Sequence, residues 1–311
     1  MHYFEHLTAL PAPQGSSVAL GYFDGLHIGH QTVVRRAVEK ARERGLAPAL
    51  FTFRLPEASR VKGPRLLSTD LKHKRAAGLG VELYMAPDFE EFRDFTPQEF
   101  VDRILIGCYR AKEVFCGENF TFGSKKSGNV KVLAQLCAQK GIGVTVLPLL
   151  QYKGQTVSST RIRRALEEGD ILLANELLGA PYQIDFPVRR GKGLGHTLGF
   201  PTINQHYPEG FQTPREGVYI TRTCVEGVWY PSATGYGTRP TVNGVLPTCE
   251  TFLPGYEGSL YGQSPVVEFY RYLWPTRKFE NLQQLTDCVM EAARESRAFF
   301  GEESRAEGTQ G

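Results

Sequence analysis

Two histidines three positions apart, His27 and His30, stand inside the run Gly21-Tyr22-Phe23-Asp24-Gly25-Leu26-His27-Ile28-Gly29-His30. Imidazoles at this spacing suit a phosphate, because each offers a directed N–H donor that follows charge as it develops on phosphorus. A second cluster of the same kind is Ser158-Ser159-Thr160-Arg161-Ile162-Arg163, where hydroxyls are followed at once by guanidinium groups. Farther on, Gly191-Lys192-Gly193-Leu194-Gly195 leads into Gly199-Phe200-Pro201-Thr202-Ile203-Asn204. Thr202 and Asn204 alternate onto one side of an extended chain and offer oxygen ligands suited to Mg²⁺. The glycine segment lacks the Gly-x4-Gly-Lys-Ser/Thr spacing of a P-loop, so phosphate binding there needs a different geometry.

The elements around these residues decide how each cluster is read. Val18-Ala19-Leu20 is a short buried-strand pattern, and residues 31–44 carry Val33, Val34, Ala37, Val38 and Ala41 at helical spacing, closed by Gly45. The histidines therefore sit where a helix begins. Free N–H groups and the helix dipole favour anions at that point, and Gly29 lets a phosphate come close. A plainer reading makes His27 and His30 turn and capping residues; the concentration of Gly21, Phe23, Asp24 and Gly25 between strand and helix favours the phosphate site. In the second cluster Ser159 or Thr160 reads equally as a simple N-cap. The arginines there oppose the helix dipole, which an arriving polyphosphate would reconcile. For the third cluster the plain reading is a β turn with hydroxyl and amide caps.

A chain of 311 residues suits two domains, and 41% hydrophobic with 22% charged residues is ordinary for a soluble globular protein. Net charge is +3, without a basic run or a basic-aromatic stripe, which argues against nucleic acid. The six cysteines are scattered, with no Cys-x-x-Cys pair to suggest zinc or a redox centre, so free thiols are expected. No membrane-length apolar run and no signal segment is present, and a cytoplasmic protein is expected.

In the first half, strand-like runs at 49–53, 114–116 and 144–147 alternate with helical stretches near 70–79, 96–106 and 129–140. That alternation predicts a parallel sheet wrapped by helices, with its ligand crevice at the carboxyl ends of the strands. From about residue 183 the texture becomes β-rich, with Gly217-Val218-Tyr219-Ile220, a Glu226-Gly227 turn before Val228-Trp229-Tyr230, and Val266-Val267-Glu268-Phe269-Tyr270. Short, closely spaced strands predict a compact barrel. A last helix over 281–300 carries Leu282, Leu285, Val289, Ala293 and Phe300 on one face, followed by a polar tail expected to fray.

Taken in order, with Gly117-Glu118-Asn119-Phe120-Thr121-Phe122-Gly123 between the first two motifs, the sequence resembles bacterial bifunctional riboflavin kinase/FAD synthetases. The likeness continues through Gly217-Val218-Tyr219, Arg239-Pro240-Thr241, Leu260-Tyr261-Gly262 and Lys278-Phe279, and so covers nearly the whole chain. It implies an α/β architecture: a Rossmann-like nucleotidyltransferase domain over 1–182, a small β-barrel riboflavin kinase domain with a terminal helix over 183–301, and a flexible tail over 302–311. It implies that His27 and His30 stabilise the α-phosphate of ATP while the FMN phosphate attacks. Gly21, Phe23, Asp24, Gly25 and Gly29 would shape that ATP site, Asn119 would lie in the nucleotide and flavin crevice, and Ser159, Thr160 and Arg163 would hold phosphates. Arg161 falls at a variable position of the pattern. In the second half the resemblance gives Gly191, Gly193, Gly195, Gly199 and Pro201 to an ATP and flavin site and Mg²⁺ to Thr202 and Asn204. Glu250 becomes the general base that takes the ribityl 5′-hydroxyl proton, although alone it reads as a solvated strand residue. Riboflavin, FMN, FAD and ATP are then the partners, with neither nucleic acid nor membrane among them, and nothing indicates an oligomeric state.

The sequence departs from that pattern in places. Trp274 stands where arginine usually follows the last strand, and His196 where arginine is common in the glycine loop; both changes remove a fixed positive fork. Arg54-Leu55-Pro56 replaces a Pro-His-Pro run. Two other readings remain. His27-Ile28-Gly29-His30 is also the signature of class I aminoacyl-tRNA synthetases, but the Lys-Met-Ser-Lys-Ser-type loop and tRNA-binding domain of that class are not visible. The second alternative makes the second half a non-catalytic flavin-binding module beside an FMN adenylyltransferase, which the Trp274 and His196 changes motivate and the intact Thr202, Asn204 and Glu250 oppose.

Overall fold

Apolar runs of the first half become the strands of a parallel sheet. The computed structural model describes residues 1–56, 62–191, 200–241 and 244–307. It divides into two compact units, Met1–Val61 with Thr69–Ser159, and Lys62–Ser68 with Thr160–Gly311. In the first unit β1 (His2–Phe4) precedes β2 (Ser16–Leu20), which α1 (Ile28–Arg44) joins to β3 (Ala47–Phe51), and α2 (Thr69–Gly78) leads to β4 (Leu83–Met85). A short α3 (Pro97–Glu99) continues as the π-helical Phe100–Cys108 into β5 (Ala111–Gly117). A small hairpin, β6 (Thr121–Phe122) with β7 (Gly128–Asn129), precedes α4 (Val130–Ala138) and β8 (Gly143–Leu147), and a second hairpin, β9 (Gln151–Tyr152) with β10 (Gln155–Thr156), closes the unit.

The sheet order is β1-β4-β3-β2-β5-β8, and every pairing in it is parallel. β2 and β3 are buried at every position, as central parallel strands covered on both faces must be. β3 ends at Phe51, so the apolar run expected over 49–53 leaves the sheet two residues early. The helix expected over 96–106 widens from α to π: the Tyr109 N–H reaches back five residues to the Ile104 carbonyl while Phe100, Val101, Ile104, Leu105 and Cys108 stay buried.

The second unit holds α5 (Ser159–Glu168) from its second residue, α6 (Ile171–Leu178), β11 (Tyr182–Ile184), β12 (Val188–Arg189), β13 (Thr202–His206), β14 (Gly217–Val225), β15 (Val228–Thr241), β16 (Gly244–Phe252), β17 (Val266–Trp274) and α7 (Leu282–Glu307). α6 packs with these strands although the sequence changes texture only near 183. Asn175 donates to the Phe269 carbonyl (2.8 Å) and accepts from the Tyr182 N–H (2.8 Å), which clamps the helix to β11 and β17. The strands form one antiparallel, curled half-barrel in the order β11-β17-β14-β15-β16-β13-β12. One of its corners is the Glu226-Gly227 turn, with φ of 50° and 84° and Val225 paired to Val228, a two-residue hairpin of the primed type.

Inside the curl, Thr221, Thr223, Ser232, Thr234 and Thr251 are fully buried and hydrogen-bonded to one another at 2.8–2.9 Å. These cross-strand hydroxyl pairs share that face with the buried Phe269 and Val267, the partners of Thr221 and Thr223 on β17. α7 covers the outer face of β14 and β15. Cys288, Ala292, Ala293 and Ser296 are buried, whereas Leu282, expected on the inward face, is 54% exposed. The helical backbone also runs on to Glu307, past the end expected at residue 300. Residues 301–307 read Gly-Glu-Glu-Ser-Arg-Ala-Glu, mostly good helix formers.

Candidate active sites

β2 passes through α1 to β3 on one side and has β5 on the other. The chain order therefore reverses between β2 and β5, where a parallel sheet opens its ligand crevice at the carboxyl ends. The turn that follows β2 and Asn119, two residues beyond β5, flank that point. Gly21 hydrogen-bonds the Phe51 carbonyl (3.2 Å). Phe23, Gly25 and Leu26 then take left-handed backbone angles (φ 51°, 76° and 44°), and full burial of the Phe23 and Leu26 side chains holds that strained turn. Gly25 adopts its angle without the Cβ penalty. Asp24 is buried in the same turn.

His27 is the N-cap of α1. Its Nδ1 accepts from the His30 N–H (3.2 Å), which leaves its proton on Nε2. Burial pulls its pKa down from the ordinary 6.5 to about 4, so at neutral pH it is an uncharged ring with one donor, Nε2–H. The His30 ring stacks on it at 3.5 Å between centroids, and Phe23 meets His30 edge-on at 5.3 Å. Gly29 lies in the first turn, where an added Cβ would come within 3.3 Å of the His27 ring. The capping reading of His27 holds, and the cap occupies one ring nitrogen while leaving the other, Nε2–H, as a donor. Asn119 is exposed, with Oδ1 3.2 Å from where a Cβ on Gly117 would stand. Ser159 donates its hydroxyl to the Asp24 carbonyl (3.1 Å), tying the start of α5 to the histidine-bearing turn. Thr160 and Arg163 fall in the second unit, where Arg163 Nε donates to the Pro64 carbonyl (2.7 Å).

One residue of this neighbourhood escaped the sequence reading. Lys72 on α2 donates from Nζ to the Tyr22 carbonyl (2.7 Å) and to Thr52 Oγ1 (3.0 Å), and Thr52 itself donates to the Tyr22 carbonyl (2.7 Å). One turn on, Arg75 donates to the Gly25 carbonyl (3.3 Å). Burial draws the Lys72 pKa from 10.5 to about 8, against the opposing pull of the Asp24 carboxylate. The available signal was a pair of basic residues three apart beside the buried Leu71 and Ala76. Arg54, the departure after the second strand, is held by Asp88 (3.0 Å), Glu5 (3.4 Å) and the Tyr3 hydroxyl (3.4 Å).

In the second unit a cavity of about 660 Å³ lies between α7 and the outer face of the sheet. Register explains its polar side. Asn204 pairs with Glu250 across β13 and β16, and Thr202 pairs with Phe252 two residues away. Thr202, Asn204, Glu250 and Phe252 all line the cavity. Its other side is apolar, with Phe279 and the α7 residues Leu285, Val289 and Ala292. Pro201 and Gly191 also line the cavity. A Cβ on Gly191 would lie 2.6 Å from Asn204 Nδ2, so only glycine admits that close approach. Gly193, Gly195 and Gly199, with His196, lie outside the described residues. The sequence reading had not placed Glu216, Arg277 or the α7 residues at this site.

The FAD synthetase family pattern matches residues 10–161 and the riboflavin kinase pattern residues 178–300. The bifunctional riboflavin kinase/FMN adenylyltransferase of Bacillus subtilis (strain 168) is 35% identical over 295 residues, covering 92% of each chain. That of Escherichia coli (strain K12) is 31% identical over 297 residues, covering 93% of this chain and 95% of its own. Among solved structures, one titled as a macrolide-efflux protein from Streptococcus pneumoniae superposes with a TM-score of 0.83 at 27% identity, covering 95% of this chain and 98% of its own. No described helix is long and apolar enough to cross a membrane. With both patterns matched in order and the bifunctional relatives spanned almost end to end, the chain belongs to the bifunctional riboflavin kinase/FMN adenylyltransferase family.

Proposed function

We propose that this chain makes FMN and FAD in sequence, with riboflavin phosphorylated in the α7 cavity and FMN adenylylated at the turn after β2. The observation that carries the reading is the cross-strand pair Asn204 and Glu250, which faces the cavity together with Thr202. In the first reaction the ribityl 5′-hydroxyl oxygen attacks the γ-phosphorus of ATP, Glu250 takes the hydroxyl proton, and ADP leaves with the electron pair of the broken P–O bond. Thr202 Oγ1 and Asn204 Oδ1 are hard oxygen donors on one wall, with the Glu250 carboxylate beside them. That donor set fits Mg²⁺, which when bound neutralises phosphate charge there.

In the second reaction an FMN phosphate oxygen attacks the α-phosphorus of ATP and pyrophosphate departs. His27 Nε2–H, His30 and the free N–H groups at the start of α1 receive the charge that develops on the α-phosphate. Asn119 borders the flavin and nucleotide crevice, Ser159 acts from the start of α5, and Thr160 and Arg163 hold phosphates. Substrates of this kind place the enzyme in the cytoplasm. The matched riboflavin kinase pattern favours catalysis in the second half over a flavin-binding module.

The test is incubation of the purified protein with riboflavin, ATP and Mg²⁺, with riboflavin, FMN and FAD resolved over time. FMN followed by FAD is expected. Glu250→Gln should lower FMN formation by roughly 10²-fold or more while supplied FMN still becomes FAD, and His30→Ala should do the reverse. FMN formation at the wild-type rate in Glu250→Gln would refute the assigned base.

A further inference from the structure

The chain has two tryptophans, and they lie in contrasting settings. Trp229 is 39% exposed, with the Arg222 guanidinium 4.5 Å from its ring. Trp274, the last residue of β17, lines the α7 cavity, and its Nε1–H is buried with no acceptor among the described residues. An indole N–H can only donate, and buried donors are almost always paired. An orphaned donor in a residue that walls an open cavity marks a place for an acceptor that the protein does not supply.

A β-bulge brings the ring to that wall. Tyr219 pairs with Tyr272, but Val218 pairs with Trp274, so Leu273 is skipped. Under regular alternation Leu273 would oppose Val218 and Trp274 would turn away from it. The extra residue instead sets Trp274 beside Val218, which also lines the cavity. The bulge is closely packed, since a Cβ on Gly217 would lie 2.6 Å from the Trp274 carbonyl oxygen. Thr276, Arg277 and Phe279, just beyond β17, continue the same wall.

We propose that Trp274 is a specificity-determining contact of the kinase cavity, donating its Nε1–H to an acceptor on the edge of a substrate's planar heteroaromatic ring. The inference rests on the kinase reading of this cavity. A guanidinium in this place would favour a phosphate, whereas an indole offers a flat apolar face and a single neutral donor, the complement of a ring. Both substrates carry such a ring, the flavin isoalloxazine and the adenine of ATP, and the experiment separates them.

Wild type, Trp274→Phe and Trp274→Leu are compared as full-length chains, with KM for riboflavin and KM for ATP each measured from FMN formation. Phenylalanine keeps a flat face and removes the donor; leucine removes both. Trp274→Phe should raise one of the two KM values roughly three- to tenfold, the worth of one net hydrogen bond, and leave kcat and the other KM within about twofold. Trp274→Leu should raise the same KM further. A response in riboflavin assigns the isoalloxazine as the ligand ring, and a response in ATP the adenine. FMN-to-FAD conversion should stay at the wild-type rate in both variants, and the retained kcat of FMN formation excludes misfolding of the second unit. Unchanged KM values, or equal rises in both, overturn the proposal while leaving the kinase reading intact. If the wild type forms no FMN, the kinase reading fails and the proposal fails with it.

Discussion

His27 is asked to do two things, and one substitution separates them. Asparagine at this position keeps an oxygen that caps the His30 N–H, since asparagine is among the preferred N-cap residues, but it loses the Nε2–H that the proposed reaction uses. Removing one preorganised donor from a developing oxyanion typically costs 10²–10³-fold in kcat, so His27→Asn should slow FAD formation from FMN by roughly that factor and leave FMN formation alone. The same variant tests the charge state. Burial lowers the His27 pKa from 6.5 to about 4, so between those values the unfolded chain binds more protons than the folded one, and stability rises with pH across the window. At 1.36 kcal/mol per pH unit, about 3 kcal/mol is present above pH 6.5 and lost as pH falls toward 4. Both tryptophans lie in the second unit, so hydrogen exchange on peptides of α1, compared between variant and wild type at matched pH, is the suitable probe. The wild type should lose protection relative to His27→Asn as pH drops from 6.5 to 4. Parallel behaviour of the two proteins, or FAD synthesis by His27→Asn within threefold of wild type, would refute the reasoning.

Lys72→Met removes a cation that the fold holds with a pKa of about 8. Because the unfolded chain binds more protons between pH 8 and 10.5, wild-type stability should rise across that window, and the methionine variant should lack the rise. Below pH 8 the buried charge costs about 3 kcal/mol, which two hydrogen bonds from a charged donor, roughly 1.5–3 kcal/mol each, match or exceed. Exchange protection of the first unit should therefore not rise in the variant at pH 7, while FAD formation falls because Tyr22 loses its tether; higher protection would count against this account. Gly191→Ala places a methyl 2.6 Å from Asn204 Nδ2. FMN formation should drop at least roughly tenfold as that side chain is displaced, with conversion of supplied FMN to FAD unchanged; full kinase activity would show that the approach is not needed.

Local patterns carried the first site. A strand run, a glycine-rich turn and a helical periodicity lie next to one another in sequence, so the position of His27 and His30 at the start of α1 follows from a few neighbouring residues. Lys72 was hidden because its partners, Tyr22 and Thr52, are 50 and 20 residues away, joined only when α2 folds against the strand ends. Part of the half-barrel interior was hidden for a related reason: Thr221, Thr223, Ser232, Thr234 and Thr251 are buried there, and such residues read as solvated until each hydroxyl is seen to bond another. In the second half alternation alone puts Thr202 and Asn204 on one side of the chain, and both line the cavity. Glu250 reaches them only through the register of β13 with β16, which no local signal specifies, and it had to enter through resemblance. Trp274 marks the limit of both approaches. Resemblance registered it as a missing arginine, and strict alternation gives it the wrong face; the skipped Leu273 turns that apparent loss into a wall of the cavity. Where a bulge resets alternation, a substitution in the family pattern is better read as a change in what the site recognises than as damage to the site, and the two KM values of Trp274→Phe decide between those readings.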